Sequence, residues 1–261
     1  MTYRLSEIEH RYGSQVHILS DPYLLSHLAQ LCSENTYQPV INELVHTLYV
    51  SLLKTVVNQE FPTQQTQIRT RMAALHPEGL FQGPIIDPNV PVVSVNLARA
   101  GTFPSHICYT ALNYFMNPQT VRQDHISIAR MTDPSDKVTG SEVSGHKIGG
   151  NIDHSIVLFP DPMGATGSTL VKAVDLYKKR GKARKFISIH CIVTPEYLKK
   201  VLSVHPDLII YAIRLDRGLS PQNVLDSVPG THWDLERGLN EKQYIVPGGG
   251  GFGEIMNNAY V

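Results

Sequence analysis

Three cysteines, one tryptophan and no excess charge of either sign set the limits on what this 261-residue chain can be. Cys32, Cys108 and Cys191 are odd in number, widely spaced and set in apolar stretches. That pattern speaks against a disulfide framework or a zinc cluster and suits buried thiols in a reducing compartment. Lys and Arg total 23, as do Asp and Glu, and the pI is about 7.2. The chain as a whole therefore exerts no pull toward nucleic acid or an acidic membrane, and anionic ligands must be met by local sites. The one dense basic stretch, 178–185, is explained by a helix end and a solvated turn, so nucleic acid is not an expected partner. No apolar run reads as membrane-spanning, and the first residues, Met1-Thr-Tyr-Arg-Leu-Ser-Glu7, lack a signal peptide's apolar core. A soluble cytoplasmic protein without a membrane partner is the expectation. The 12 histidines show no metal-ligand spacing. His146 and His154 read as loop residues, and no protein-bound metal is expected.

What is present is an alternation of short apolar runs with helical patterns. Between 39 and 57, Val40, Leu44, Val45, Leu48, Leu52 and Val56 fall at helical spacing and predict a long helix. The stretch 61–67, Phe-Pro-Thr-Gln-Gln-Thr-Gln, has no such pattern and reads as a linking loop. Beyond it, strands are expected at 92–95, 126–129, 156–159, 186–193 and 208–213, and helices at 106–115, 169–180 and 196–203. Thr194-Pro195 supplies an N-cap and an N1 proline for the last of these helices. The succession implies an α/β fold, a mainly parallel central sheet with helices on both faces. The length suits one domain over 1–261, with a helical arm at 1–60 and a C-terminal hood at 235–261.

The chemistry concentrates in Ile156-Val-Leu-Phe-Pro-Asp161-Pro-Met-Gly-Ala165-Thr-Gly-Ser-Thr169-Leu. An apolar strand runs into an acid, then into a small and hydroxylic turn, then into an amphipathic helix. Small residues let backbone amides close on an anion, the hydroxyls of Thr166, Ser168 and Thr169 add donors, and the helix N-terminus completes a phosphate cradle. It is not the P-loop of nucleoside triphosphatases, because no lysine appears before Lys172. Asp161 suits a hydroxyl or a metal-bound water. Upstream, Asn96-Leu-Ala-Arg99-Ala-Gly101-Thr follows a strand and offers a guanidinium fork for phosphate. Downstream, Tyr244-Ile-Val-Pro247-Gly-Gly-Gly-Gly251-Phe-Gly-Glu254 carries four consecutive glycines, which are costly in backbone entropy unless the backbone itself meets something. In open α/β sheets such loops leave the carboxyl ends of strands and can share one cleft.

An acid at a strand end followed by Ala-Thr-Gly-Ser-Thr resembles the signature of class I phosphoribosyltransferases. The Asp-Pro-Met beginning resembles that of uracil phosphoribosyltransferases. Arg99-Ala-Gly101 is similar to that family's pyrophosphate loop, and the run from Leu239 to Gly248 to its uracil-recognition segment. Gly150-Asn-Ile-Asp153, Ser20-Asp-Pro22 and His205-Pro-Asp207 also fit the family's pattern. The resemblance covers most of the chain and implies transfer of a 5-phosphoribosyl group from phosphoribosyl pyrophosphate to uracil, giving uridine monophosphate. It implies that Asp161 and Arg99 are the catalytic residues. Asp161 would hold the ribose hydroxyls, Ala165, Thr166, Gly167, Ser168 and Thr169 would embrace the 5′-phosphate, and Pro162, Met163 and Gly164 would join them in binding phosphoribosyl pyrophosphate. Arg99, with a Mg²⁺ carried by the substrate, would meet the pyrophosphate, and Ile245, Gly250, Gly251 and Phe252 the base through backbone atoms. A homodimer or homotetramer is implied in the same way.

The chain departs from the family in three places. Gly251 stands where an aspartate is common, with Glu254 nearby. Asp133 stands where an arginine contacts phosphoribosyl pyrophosphate, so Arg130 would have to serve by a local shift. The segment 216–235 is an insertion, read as a lid or an oligomer contact. A non-catalytic sensor, or transfer to another nucleobase, stays open on these departures.

Overall fold

The structure, a computed structural model, describes residues 3–132 and 138–260, with side chains described throughout except over 128–142. Strand β1 (Val16–Ile18) leads to helix α1 (Pro22–Leu31), whose start is fixed by the Asp21 carboxylate accepting from Leu24 N at 3.1 Å and by proline in the first turn. There follow α2 (Val40–Glu60), β2 (Thr63–Arg69), β3 (Leu80–Ile86), β4 (Val92–Ala98), α3 (Thr102–Asn113), β5 (Val121–Thr132) and β6 (Val138–Lys147). The second half runs through β7 (Ile156–Pro160), β8 (Met163–Gly164), α4 (Ser168–Lys178), β9 (Lys185–Val193), α5 (Pro195–Val204), β10 (Ile209–Leu215), α6 (Gln222–Leu225) and α7 (Phe252–Ile255).

One sheet has the strand order β1-β10-β9-β7-β4-β5-β6 with β8 beside β9, and every pairing in it is parallel except β5 with β6. The mainly parallel α/β architecture follows from strands such as Ile156–Pro160, buried along their whole length. Such a run has no polar face because both sides are covered. Ile156 and Leu158 belong to the core shared with α1, α2 and α3, whereas Val157 and Phe159 belong to the core shared with α4 and α5. Burying each such side chain contributes about 1.5–3 kcal/mol. The Thr194-Pro195 start of α5 forms as its sequence implies, with Thr194 Oγ1 accepting from Tyr197 N at 3.0 Å.

The connections fix where a ligand can sit. After β4 the chain crosses one face of the sheet through α3 to reach β5, and after β7 it crosses the other face through α4 to reach β9. β4 and β7 are neighbours whose exits diverge, so a crevice opens beyond their carboxyl ends.

Three readings are corrected. Residues 61–67 are not a loop: β2 pairs antiparallel with β3 as a separate two-stranded sheet. Most of β2 is exposed, so no alternation of apolar and polar residues marks it, and its extended form is set by pairing with a distant partner. His146 is not a loop residue but lies on β6 opposite Ile126. Finally, α2 is a 21-residue helix long and apolar enough by composition to cross a bilayer, contrary to the expectation that no run is. Its Val45, Leu48, Tyr49, Leu52 and Val56 are wholly buried against the sheet, which accounts for the apolar composition.

Candidate functional site

The Asp161 turn is stitched to β9 by its oxygens. The Pro162 carbonyl accepts from Cys191 N and Ile192 N, both at 3.1 Å, Gly164 O accepts from Thr194 N at 3.1 Å, and Ala165 O accepts from Thr194 Oγ1 at 2.7 Å. These bonds commit the turn's acceptors to the protein. Of the first-turn amides of α4, Ser168 N reaches Thr166 Oγ1 at 3.5 Å, while those of Thr169 and Leu170 have no helical acceptor and remain donors at the positive end of the helix. Gly167 begins the helix at φ +77°, and a Cβ there would lie 2.7 Å from Val201 Cγ2, so only glycine fits without strain. The hydroxyl-bearing Thr166, Ser168 and Thr169 are half-buried around this entry. Asp161 is also half-buried, and its Oδ1 accepts from Met163 N at 3.3 Å.

Beneath the turn lies a polar core. His190 Nδ1 donates to the Asp161 carbonyl at 2.6 Å, and its Nε2 is 2.6 Å from the Tyr197 hydroxyl, which also lies 3.2 Å from Ser188 Oγ. A carbonyl can only accept, so Nδ1 carries a proton, and burial, which disfavours a second proton on Nε2, keeps the ring neutral. Burial pushes the His190 pKa down to about 4, the bond to Asp161 O offsetting only part of that. The unfolded chain, with an ordinary histidine, therefore binds a proton between pH 6.5 and 4 that the folded chain refuses. The stability from the neutral ring is complete above pH 6.5 and drains as pH falls toward 4. Urea unfolding of the wild type should lose about 2 kcal/mol more between pH 7 and 4.5 than His190→Gln loses. Parallel losses in the two proteins would contradict this account.

The Arg99 loop approaches from the neighbouring strand. β4 ends at Ala98, the Ala98–Arg99 peptide is cis, and Gly101 N bonds back to Leu97 O at 2.9 Å before α3 begins. A Cβ on Gly101 would stand 2.8 Å from Leu97 O and 3.0 Å from Pro160 O, so the absence of a side chain lets the β4 and β7 exits touch. The Arg99 guanidinium donates through Nη1 to Ala259 O at 2.9 Å and through Nη2 to Glu254 Oε1 at 2.8 Å.

The hood completes the crevice. Ile245 and Phe252 are buried, and the Phe252 ring packs in the core near Cys32, so only backbone from these residues is open to a ligand. Gly250, at φ +84°, faces open space. Where Gly251 lacks a side chain, Glu254 Oε2 lies 2.1 Å from the position a Cβ would take. The carboxylate missing at 251 is thus supplied to the same space from one helical turn away. Sequence reading found Glu254 but not the groups that hold the hood down. Arg214 and Asp216, at the end of β10, form a two-point ion pair at 2.6 and 2.8 Å; Arg214 Nη2 donates to Gly248 O and Asp216 Oδ2 accepts from Gly248 N, both at 2.8 Å. Burial works against the Arg214 charge, but Asp216 more than offsets it and raises the pKa. Glu196 accepts from Gly238 N at 2.9 Å. An Arg-x-Asp at a strand end was the available signal for the first of these clamps.

Asp161, Arg99, the 162–169 turn and the hood are therefore brought to one crevice. Arg130 lies on β5 with its side chain outside the described set, and Asp133 falls outside the described residues. The inserted segment packs inward: Trp233 Nε1 donates to Pro195 O at 3.0 Å, Tyr12 stacks edge-on against Trp233, and Glu236, fully buried, binds both Arg217 and the Tyr12 hydroxyl.

The same fold occurs in solved structures. The Aquifex aeolicus protein AQ2163 matches with a TM-score of 0.72 at 21% identity, over 94% of this chain and 99% of that one. The adenine phosphoribosyl transferase of Trypanosoma brucei matches at 0.50 and 14% identity, over 88% and 94%. The fold is that of the phosphoribosyltransferases. The sequence model for uracil phosphoribosyltransferase matches residues 18–232, and the uracil phosphoribosyltransferase of Streptococcus mutans is 28% identical over 92% of this chain and 96% of its own length. The chain belongs to the uracil phosphoribosyltransferase family.

Proposed function

We propose that this protein transfers the 5-phosphoribosyl group of phosphoribosyl pyrophosphate to uracil, releasing pyrophosphate and giving uridine monophosphate. The observation that carries this reading is the meeting of the β4 and β7 exits at Gly101, which sets a guanidinium loop beside an acid-led phosphate cradle under a backbone-rich hood. The anomeric carbon passes through an oxocarbenium-like state as its bond to pyrophosphate breaks and its bond to the base nitrogen forms. Such a reaction needs positioning and charge stabilisation rather than a protein nucleophile. In this reading the α4 amides and the hydroxyls of Thr166, Ser168 and Thr169 anchor the 5′-phosphate, and Asp161 holds the ribose hydroxyls. Arg99 exchanges Glu254 for the leaving pyrophosphate, and the backbone of Ile245, Gly250, Gly251 and Phe252 pairs with the base.

Mg²⁺ is proposed to arrive on the substrate. Among the described residues no three His, Cys, Asp or Glu side chains converge into a ligand set, whereas pyrophosphate offers oxygens of its own. A role in pyrimidine salvage in the cytoplasm, as a homodimer or homotetramer, belongs to the same reading.

The test is incubation with phosphoribosyl pyrophosphate, Mg²⁺ and each nucleobase in turn, with pyrophosphate as the readout. Product with uracil is expected. Product with another base alone would move the specificity, and ligand-dependent thermal stabilisation without product from any base would make the protein a sensor.

A further inference from the structure

Along β5 and the end of β6, at the opposite end of the strands from the crevice, lies a wide-mouthed cavity of about 600 Å³, open to solvent and lined by Arg122, Asp124, His125, His146, Lys147 and Arg180. Arg122 pairs with Val93, five residues before Ser127 draws level with Ala98, which puts it roughly 16 Å down the strands from the site end. Among the described residues, two buried side-chain nitrogens lack a hydrogen-bond partner, Arg122 Nη2 and Arg180 Nε. Both belong to side chains lining this one cavity. A buried charged donor left unpaired costs about 1–3 kcal/mol, so each of the two calls for an acceptor.

Two of the side-chain acceptors there are already engaged. Asp124 takes Arg122 Nε at 3.2 Å, Gly149 N at 3.0 Å and the Tyr177 hydroxyl at 2.7 Å. His146 Nε2 takes Arg180 Nη2 at 3.0 Å, leaving its Nδ1 as a further donor. Arg122, Arg180 and Lys147 against Asp124 leave two positive charges in excess among these lining residues. We propose that this cavity is a second anion site, binding the phosphate of a phosphorylated small molecule and distinct from the phosphoribosyl crevice. Guanidinium forks suit the several oxygens of a phosphate dianion. α4 runs from the cradle to within two residues of Arg180, so one helix spans both sites.

The experiment is a calorimetric titration of the full chain with inorganic phosphate and, separately, ribose 5-phosphate. With ribose 5-phosphate, wild type should show two sites. Arg180→Gln and Lys147→Gln, each with an unchanged melting temperature, should weaken one of them about tenfold or more, while Thr169→Ala weakens the other. Crystals soaked in tungstate should place density between Arg122 and Arg180, lost in Arg180→Gln. A wild type with only the Thr169-sensitive site, or an Arg180→Gln isotherm identical to wild type, would overturn the proposal.

Discussion

Arg99→Ala is expected to lower kcat/KM for pyrophosphate release by about 10²–10³, the loss typical of removing a donor aimed at charge that develops in the transition state. The thermal midpoint should barely move, because Arg99 is more than a third exposed and its ion pair with Glu254 contributes little to stability. Arg99→Lys should recover only part of the loss, since a point charge does not reproduce the planar fork that spans two oxygens. Steady-state kinetics with saturating uracil and varied phosphoribosyl pyrophosphate separates the outcomes. Full activity in Arg99→Ala would remove this loop from the chemistry, whereas equal losses of activity and melting temperature would make it a structural tether of the hood.

Gly101→Ala is expected to be damaging out of proportion to one methyl group. The added carbon would sit 2.8 Å from Leu97 O, 3.0 Å from Leu97 N and 3.0 Å from Pro160 O, all of them backbone atoms of strand ends that cannot rotate away. Overpacking of this kind costs about 1–3 kcal/mol. The larger effect falls on catalysis, because relief of the clash separates the Arg99 loop from the Asp161 turn, and a 1 Å misplacement can cost about 10² in rate. A variant that melts a few degrees low yet binds phosphate at the cradle and turns over at least tenfold more slowly is the expected result. Normal turnover would mean that the β4 and β7 exits do not act together.

The fold was largely legible because its signals are local. The buried runs of β7 and β9, the amphipathic α4 and α5 and the Thr194-Pro195 cap each announce themselves within a few residues. β2 did not, because an exposed strand has no apolar face to write into its sequence, and its partner begins 17 positions later. The candidate site divides in the same way. Asp161, its turn and Arg99 were visible as motifs, since a phosphate cradle requires small and hydroxylic residues in succession. The Arg214–Asp216 clamp on Gly248 was not, because the two ends of each contact lie more than thirty positions apart.

The sequence by itself determined the residue types at the crevice, the parallel α/β class and the family, each encoded in contiguous stretches whose spacing follows from local geometry. Only the tertiary structure decided that Glu254 fills the space left by Gly251 and engages Arg99, that the inserted segment is pinned inward by Trp233 and Glu236, and that Arg122 and Arg180 face one cavity. The physical reason is common to all three: a charge acquires its role from partners that the chain brings together only after the sheet has formed.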